Sequence, residues 1–241
     1  MQLEVLRDAE AVAARAAAIV AENARAACQE RGVFLMAVSG GHTPWVMLNI
    51  LANEEVPWAG VHVFQVDERM ATAGDPDRNL THLRESLLQN APIEPTHIYP
   101  MPIESPNSEA AAAEYAMTLQ NIAGSPPVLD LVHLGLGPDG HTASLVPGDP
   151  VLQVIDSDIA VTGLYQGRKR MTLTYPVINR ARQILWVVTG PEKVKPLGQL
   201  LNADSSIPGG RISRDNALIL ADEAAIEPTT GRKRNEGRHC Y

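Results

Sequence analysis

The stretch Asp130–Pro150, DLVHLGLGPDGHTASLVPGDP, decides how the rest of the chain is read. From Val128 to Leu136 the residues are apolar apart from Asp130 and His133, which predicts a strand buried on both faces. Gly135, Gly137 and Gly140 then break the run and let the backbone turn. Asp139 and His141 follow, and Thr142 is placed to cap a short helix beginning at Ala143. A titratable pair thus stands where a buried strand ends and a helix is expected. In open α/β sheets that edge, beyond the carboxyl ends of the strands, is where ligands bind. The plainer reading is a turn with incidental polar residues. The imidazole beside a carboxylate favours a site, because histidine titrates near neutral pH and can take a proton from water there.

Upstream, Val33–Val38 reads as the first central strand and leads into Ser39-Gly40-Gly41-His42-Thr43-Pro44. Thr43 as N-cap with Pro44 at the first helical position predicts a helix through Leu51. Gly40 and Gly41 turn backbone N–H groups outward just before that helix, which suits an oxyanion such as phosphate; a tight β–α turn is the alternative. The pattern is neither a dinucleotide fingerprint nor a P-loop. Val61–Val66 is the next strand and ends in Asp67-Glu68-Arg69. Alternation puts Asp67 and Arg69 on one face, as a structural ion pair or as the lining of a cleft. The loop Ala71–Arg78 is long enough for a rim or lid, and Asn79 or Thr81 caps a helix through Leu88.

Further strands are expected at Gln2–Leu6, around Ile98-Tyr99, and at Ile159–Tyr165, Arg170–Thr174, Ile184–Thr189 and Ala217–Leu220. Helices are expected from Ala9 to about Gln29 with Asp8 and Gly32 as caps, over Ser108–Ile122, over Pro176–Ala181 and from Gly190-Pro191-Glu192-Lys193 onward. Lys193 falls in a first helical turn, where the macrodipole opposes a cation by ~0.3–1 kcal/mol. A bound anion would offset that cost; an exposed lysine is the plainer alternative. His62 and His133 read as packed, hydrogen-bonded residues. The alternation of strands and helices defines an α/β fold: a doubly wound, mostly parallel sheet with helices on both faces. Residues 1–228 form one domain, and 229–241 a basic tail expected to be flexible.

The chain has 241 residues and a formal net charge of -8. That balance argues against a nucleic-acid partner. It also repels an anionic substrate unless cations cluster locally. Cys28 and Cys240 lack metal-ligand spacing, so a reduced, cytoplasmic compartment is expected. No run approaches the ~20 apolar residues of a membrane span, and the N-terminus lacks the basic-then-apolar order of a signal peptide. No membrane partner is expected.

Three stretches, in their order and spacing, resemble the signatures of the 6-phosphogluconolactonase family within the glucosamine/galactosamine-6-phosphate isomerase group: Ser39–Pro44, Val66–Arg69 and Gly135–Pro147. Arg170-x-Thr-x-Thr174 followed by Gly190-Pro-Glu-Lys193 fits as well, and the resemblance runs to about Ala225. It implies a fold shared with glucosamine-6-phosphate deaminases and ribose-5-phosphate isomerases. It implies hydrolysis of 6-phospho-D-glucono-1,5-lactone to 6-phospho-D-gluconate in the oxidative pentose phosphate pathway. A sugar-phosphate lactone is then the small-molecule partner, no metal or organic cofactor is expected, and the assembly is a monomer or small homo-oligomer.

On this resemblance His141 is the general base that activates water, with Asp139 or Asp67 orienting its imidazole. Arg69 stabilises the oxyanion or contacts phosphate. Gly40, Gly41, His42 and Thr43 hold the phosphate, with Arg170 and Lys193 closing over it. Deaminases of the same fold are the competing reading. They usually carry a glutamate where this chain has Val146, and Asp-Glu-Tyr where it has Asp67-Glu68-Arg69. Both differences favour the lactonase. Arg78 replaces the serine usual before Asn79 and faces either substrate or solvent. A non-catalytic sugar-phosphate sensor is the further alternative, although no DNA-binding helix-turn-helix accompanies it.

Overall fold

The computed structural model describes residues 1–226, so the basic tail 229–241 lies outside the described residues. Seven strands form the main sheet: β1 (Gln2–Leu6), β2 (Phe34–Val38), β3 (Val61–Gln65), β5 (Ile98–Tyr99), β6 (Leu131–Leu134), β9 (Gln183–Val188) and β10 (Ala217–Asp222). Their order is β1-β10-β9-β6-β2-β3-β5, and every neighbouring pair is parallel. Three short strands, β4 (Asp67–Arg69), β7 (Ile159–Val161) and β8 (Arg170–Leu173), form a separate antiparallel sheet in the order β4-β8-β7. Among the described strands the antiparallel pairing is therefore confined to this second sheet, which the chain's patterning did not announce.

Continuous apolar runs make the central strands, because a parallel sheet covered on both faces leaves no strand side for water. All five residues of β2 are buried. In β9 the alternation separates two cores. Ile184, Trp186 and Val188 join the cluster that includes α4 (Ser108–Ala123), α5 (Tyr175–Arg180) and α6 (Val194–Leu201). Leu185 and Val187 join the cluster built on α1 (Ala9–Arg31), α2 (His42–Leu51) and α3 (Asn79–Leu83). Helices thus cover both faces, as expected for this class. The Ala-rich α1 starts on the Asp8 carboxylate, which accepts from the Ala11 N–H at 2.9 Å. It stops at Gly32, whose φ of 78° is left-handed. None of the described helices is long and apolar enough to cross a membrane.

Val66 is the pivot between the two sheets. Its N–H donates to Val38 O at 3.0 Å, continuing the parallel ladder, and its carbonyl accepts from Leu173 N at 2.8 Å. One strand was expected from Val61 into the Asp-Glu-Arg segment; instead the chain leaves the main sheet here and begins the small one. Two further expectations are corrected. No helix begins at Ala143: its φ is 51°, a left-handed angle no right-handed helix admits. Nor does Thr43 cap α2, which starts two residues earlier than expected, at His42, with Gly41 as N-cap and no side chain accepting from its first turn.

The chain runs outward from β2 through β3 to β5, then returns to β6 on the other side of β2. This reversal opens a crevice at the carboxyl ends of β2 and β6, the position where doubly wound sheets bind ligands. Both glycine-rich turns emerge there.

Candidate active site

The first turn is anchored from β6. The Ser39 N–H donates to His133 Nδ1 at 3.2 Å, and Ser39 Oγ donates to the His133 carbonyl at 2.9 Å. His133 is fully buried, and burial pushes its pKa down to about 4. With Nδ1 accepting, the neutral ring carries its proton on Nε2, which has no partner among the described residues. Gly41 sits at φ 130° and ψ 159°, a conformation confined to glycine. A Cβ on Gly40 would fall 2.1 Å from Asn79 Oδ1. Thr43 Oγ1 is instead bonded to Thr189 Oγ1 at 2.7 Å. The N–H groups that open α2 are therefore left without a side-chain acceptor, and with the helix dipole they favour an anion.

The second turn closes on itself. Gly137 N donates to His141 O at 2.8 Å, and Gly140 N to Gly137 O at 3.0 Å. Thr142 Oγ1, expected as a helix cap, donates to Gly135 O at 2.8 Å. His141 Nδ1 lies 2.5 Å from Asp139 Oδ1, which also accepts from the His141 backbone N–H at 3.1 Å. Burial opposes ionisation of Asp139, but the His141 N–H, the adjacent imidazole and the Tyr165 hydroxyl outweigh it and hold the carboxyl below its ordinary range. With Nδ1 engaged, Nε2 is the ring nitrogen left for a substrate. The missing side chain of Gly137 makes this possible: a Cβ there would fall 2.1 Å from His141 Nδ1. Beyond His141 the segment binds the small sheet. Ser144 N donates to Thr172 Oγ1 at 3.2 Å, and Ser144 Oγ donates to Asp67 Oδ2 at 2.5 Å.

The cations come from the small sheet and the entry to α6. Arg69 and Arg170 are directly opposite in the β4–β8 register. Like charges so placed repel. Arg170 is 4% exposed, and its Nε has no partner among the described residues. Burial pulls its pKa down; Asp67 works against that and Arg69 adds to it. Such a guanidinium is suited to an incoming anion. Lys193 lies in the short turn before α6, 3.4 Å from Glu192 Oε1.

One cavity of about 360 Å³ gathers these groups. Gly40, Gly41, His42, Thr43, Asp67, Arg69, His141, Arg170 and Lys193 all line it. Asp139 stands behind His141 instead. The imidazole therefore pairs with Asp139, while Asp67 is occupied by Ser144 and by Asn79 Nδ2 at 3.3 Å. Three cations against the carboxylates of Asp67 and Glu192 make the lining locally cationic on an acidic protein.

Arg78 faces neither substrate nor solvent: it is buried and bonds Glu104 Oε1 at 2.5 Å. Neither Asn79 nor Thr81 caps α3. The fully buried Glu68 does so, accepting from the Asn79 and Leu80 N–H groups at 2.8 Å each. The roles of Glu68, Asn79, Ser144, Thr189 and Tyr165 come only from the fold. Their partners are distant in sequence, so no local pattern marks them. Among the described residues no cluster of His, Cys, Asp or Glu is arranged to hold a metal ion.

A family model described as glucosamine-6-phosphate isomerases/6-phosphogluconolactonase matches residues 7–220. The chain belongs to this family. A 6-phosphogluconolactonase of Synechocystis is 39% identical over 234 residues, covering 94% of this chain and 97% of the relative. Among solved structures, a 6-phosphogluconolactonase from Shewanella baltica has a TM-score of 0.80 at 26% identity, over 92% of this chain and 97% of that one. A monomeric glucosamine-6-phosphate deaminase has a TM-score of 0.81 at 18% identity, over 93% and 98%. Within the family, then, overall fold does not separate the two chemistries, and the site residues must.

Proposed function

We propose that this chain hydrolyses 6-phospho-D-glucono-1,5-lactone to 6-phospho-D-gluconate. The observation that carries the reading is the opening of the His141–Asp139 pair into the same small cavity as Arg69, Arg170, Lys193 and the uncapped start of α2. His141 Nε2 takes a proton from water as its oxygen bonds to the lactone carbonyl carbon. Asp139 stabilises the imidazolium that forms. Collapse of the tetrahedral intermediate breaks the bond to the ring oxygen, which receives the proton back from His141. The phosphate lies on the Gly40–Thr43 turn between Arg170 and Lys193, a fork and a point charge. Arg69, opposite Arg170, supplies charge for the oxyanion.

The deaminase alternative is disfavoured by Val146, which is 3% exposed and cannot carry a proton where that branch usually has a glutamate. This reading makes the protein a cytoplasmic enzyme of the oxidative pentose phosphate pathway that needs no metal.

The test is a lactone assay at mildly acidic pH, where spontaneous opening is slow, with ammonia release from glucosamine 6-phosphate measured in parallel. Replacing His141 by Ala lowers kcat by ~10²–10⁴-fold. Arg170→Ala and Lys193→Ala mainly raise KM. Ammonia release without lactone hydrolysis, or a folded His141→Ala protein with wild-type kcat, overturns the proposal.

A further inference from the structure

Tyr165 stands at the tip of the β7–β8 hairpin. It exchanges backbone hydrogen bonds with Arg168 at 3.0 and 3.2 Å, across a turn in which Gln166 and Gly167 have φ of 52° and 79°. Two left-handed residues in a two-residue loop match the twist of an antiparallel hairpin, so the tip is well defined. Arg168 then pairs with Asp75 at 3.1 Å and with Asp77 at 3.2 Å, fastening the tip to the loop on the other side.

From there the Tyr165 side chain makes four contacts, one of them from its hydroxyl to His141 Nδ1 at 3.4 Å. Its hydroxyl donates to Asp139 Oδ2 at 3.1 Å. Its ring meets the His141 ring edge to face, with centroids 5.4 Å apart. The Arg170 guanidinium carbon lies 4.9 Å from the ring centroid. Asp139 Oδ1 already takes both hydrogen bonds from His141, so the hydroxyl on Oδ2 fixes the remaining rotation of the carboxylate. Arg170 has few other restraints: Nη2 donates to Gln166 Oε1 at 3.2 Å, from the same tip.

We propose that Tyr165 is a positioning residue that sets the His141–Asp139 pair and the Arg170 guanidinium as one unit, coupling the reacting end of the cavity to its phosphate end. The inference rests on the function proposed above. Its hydroxyl serves the proton-transfer pair and its ring face serves the cation, so two substitutions separate the roles. Tyr165→Phe keeps the ring and removes the hydroxyl. Tyr165→Leu removes both.

The experiment is steady-state kinetics on both variants, combined with proton NMR of the His141 Nδ1–H. In Tyr165→Phe, kcat falls about tenfold, the scale for losing one hydrogen bond to a charged group, while KM for the lactone stays within about twofold. In Tyr165→Leu, KM also rises about fivefold as Arg170 loses its platform. The Nδ1–H resonance exchanges faster with solvent in both variants. Thermal midpoints stay near wild type, since the tip buries little surface. Equal kcat in wild type and Tyr165→Phe, or an unchanged KM in Tyr165→Leu, overturns the proposal. If the wild type does not hydrolyse the lactone, the proposed function falls and the resonance alone decides Tyr165. Unaltered exchange in both variants then rejects it.

Discussion

The two glycine-rich turns that flank the crevice begin from the same local ingredients and end differently. Ser39–Thr43 follows the buried strand β2 and enters a regular helix. Gly135–Leu145 follows the buried strand β6 and enters none. The first turn offers backbone: glycine amides and an uncapped helix end, with Ser39 held by His133. The second offers side chains: a self-closed turn presents His141 and Asp139, and Ser144 is then drawn onto the small sheet. A helix start is one way to satisfy the backbone after such a turn, and capture by another sheet is a second. Which occurs depends on what lies within reach, and for the second turn that is β4 and β8.

The largest expected effect tests the anchor of the first turn. Protonating His133 would place a proton on Nδ1, facing the Ser39 N–H that now donates to it. The unfolded chain binds that proton near pH 6.5 and the folded protein only near 4, so the unfolded state holds more protons between these values. Stability from this group is complete above pH 6.5 and is lost as pH falls towards 4. At 1.36 kcal/mol per unit the loss is about 3 kcal/mol. Urea unfolding as a function of pH measures it, and His133→Gln flattens the curve. A flat wild-type curve from pH 7 to 4.5 refutes the anchoring role.

The next effect tests the second turn. Gly137→Ala forces the His141 ring aside without touching the first turn, so kcat drops by about 10²-fold, the cost of roughly an ångström of misplacement. KM changes little. A variant with both constants altered equally would mean that the two turns are not independent.

The smallest effect tests capture by the small sheet. Ser144→Ala leaves the buried Asp67 carboxylate short of a donor and costs about 2 kcal/mol of stability in urea melts. If instead residues 143–147 were held by their own turn, the loss would be within error.

The central strands of the main sheet were legible because burial on both faces demands unbroken apolar runs, and Phe34–Val38 and Ile184–Val188 are such runs. The caps of α1 were legible because Asp8 and Gly32 act within four residues of their partners. The helix expected after Thr142 was not a misread pattern. Its residues accept that start, but Ala143 turns left-handed and Ser144 bonds to Asp67, 77 positions away. Of the expected site residues, only Asp139 lies outside the cavity lining, and it supports His141 from behind. Tyr165 was expected only as the end of a strand from Ile159; β7 stops at Val161, and Tyr165 instead forms an isolated bridge with Arg168 beyond it.

Sequence by itself determined the α/β class, the strand ends where chemistry-bearing residues gather, and the glycines that let backbone and imidazole approach closely. These follow from burial and local sterics, which act over a few residues. Tertiary structure alone decided the pairing of His141 with Asp139 rather than Asp67, the opposition of Arg69 and Arg170, and the seating of Tyr165 against Asp139, His141 and Arg170. Those depend on strand pairing within the small sheet and on its contacts with the second turn, between segments far apart in the chain, for which no short stretch carries the signal.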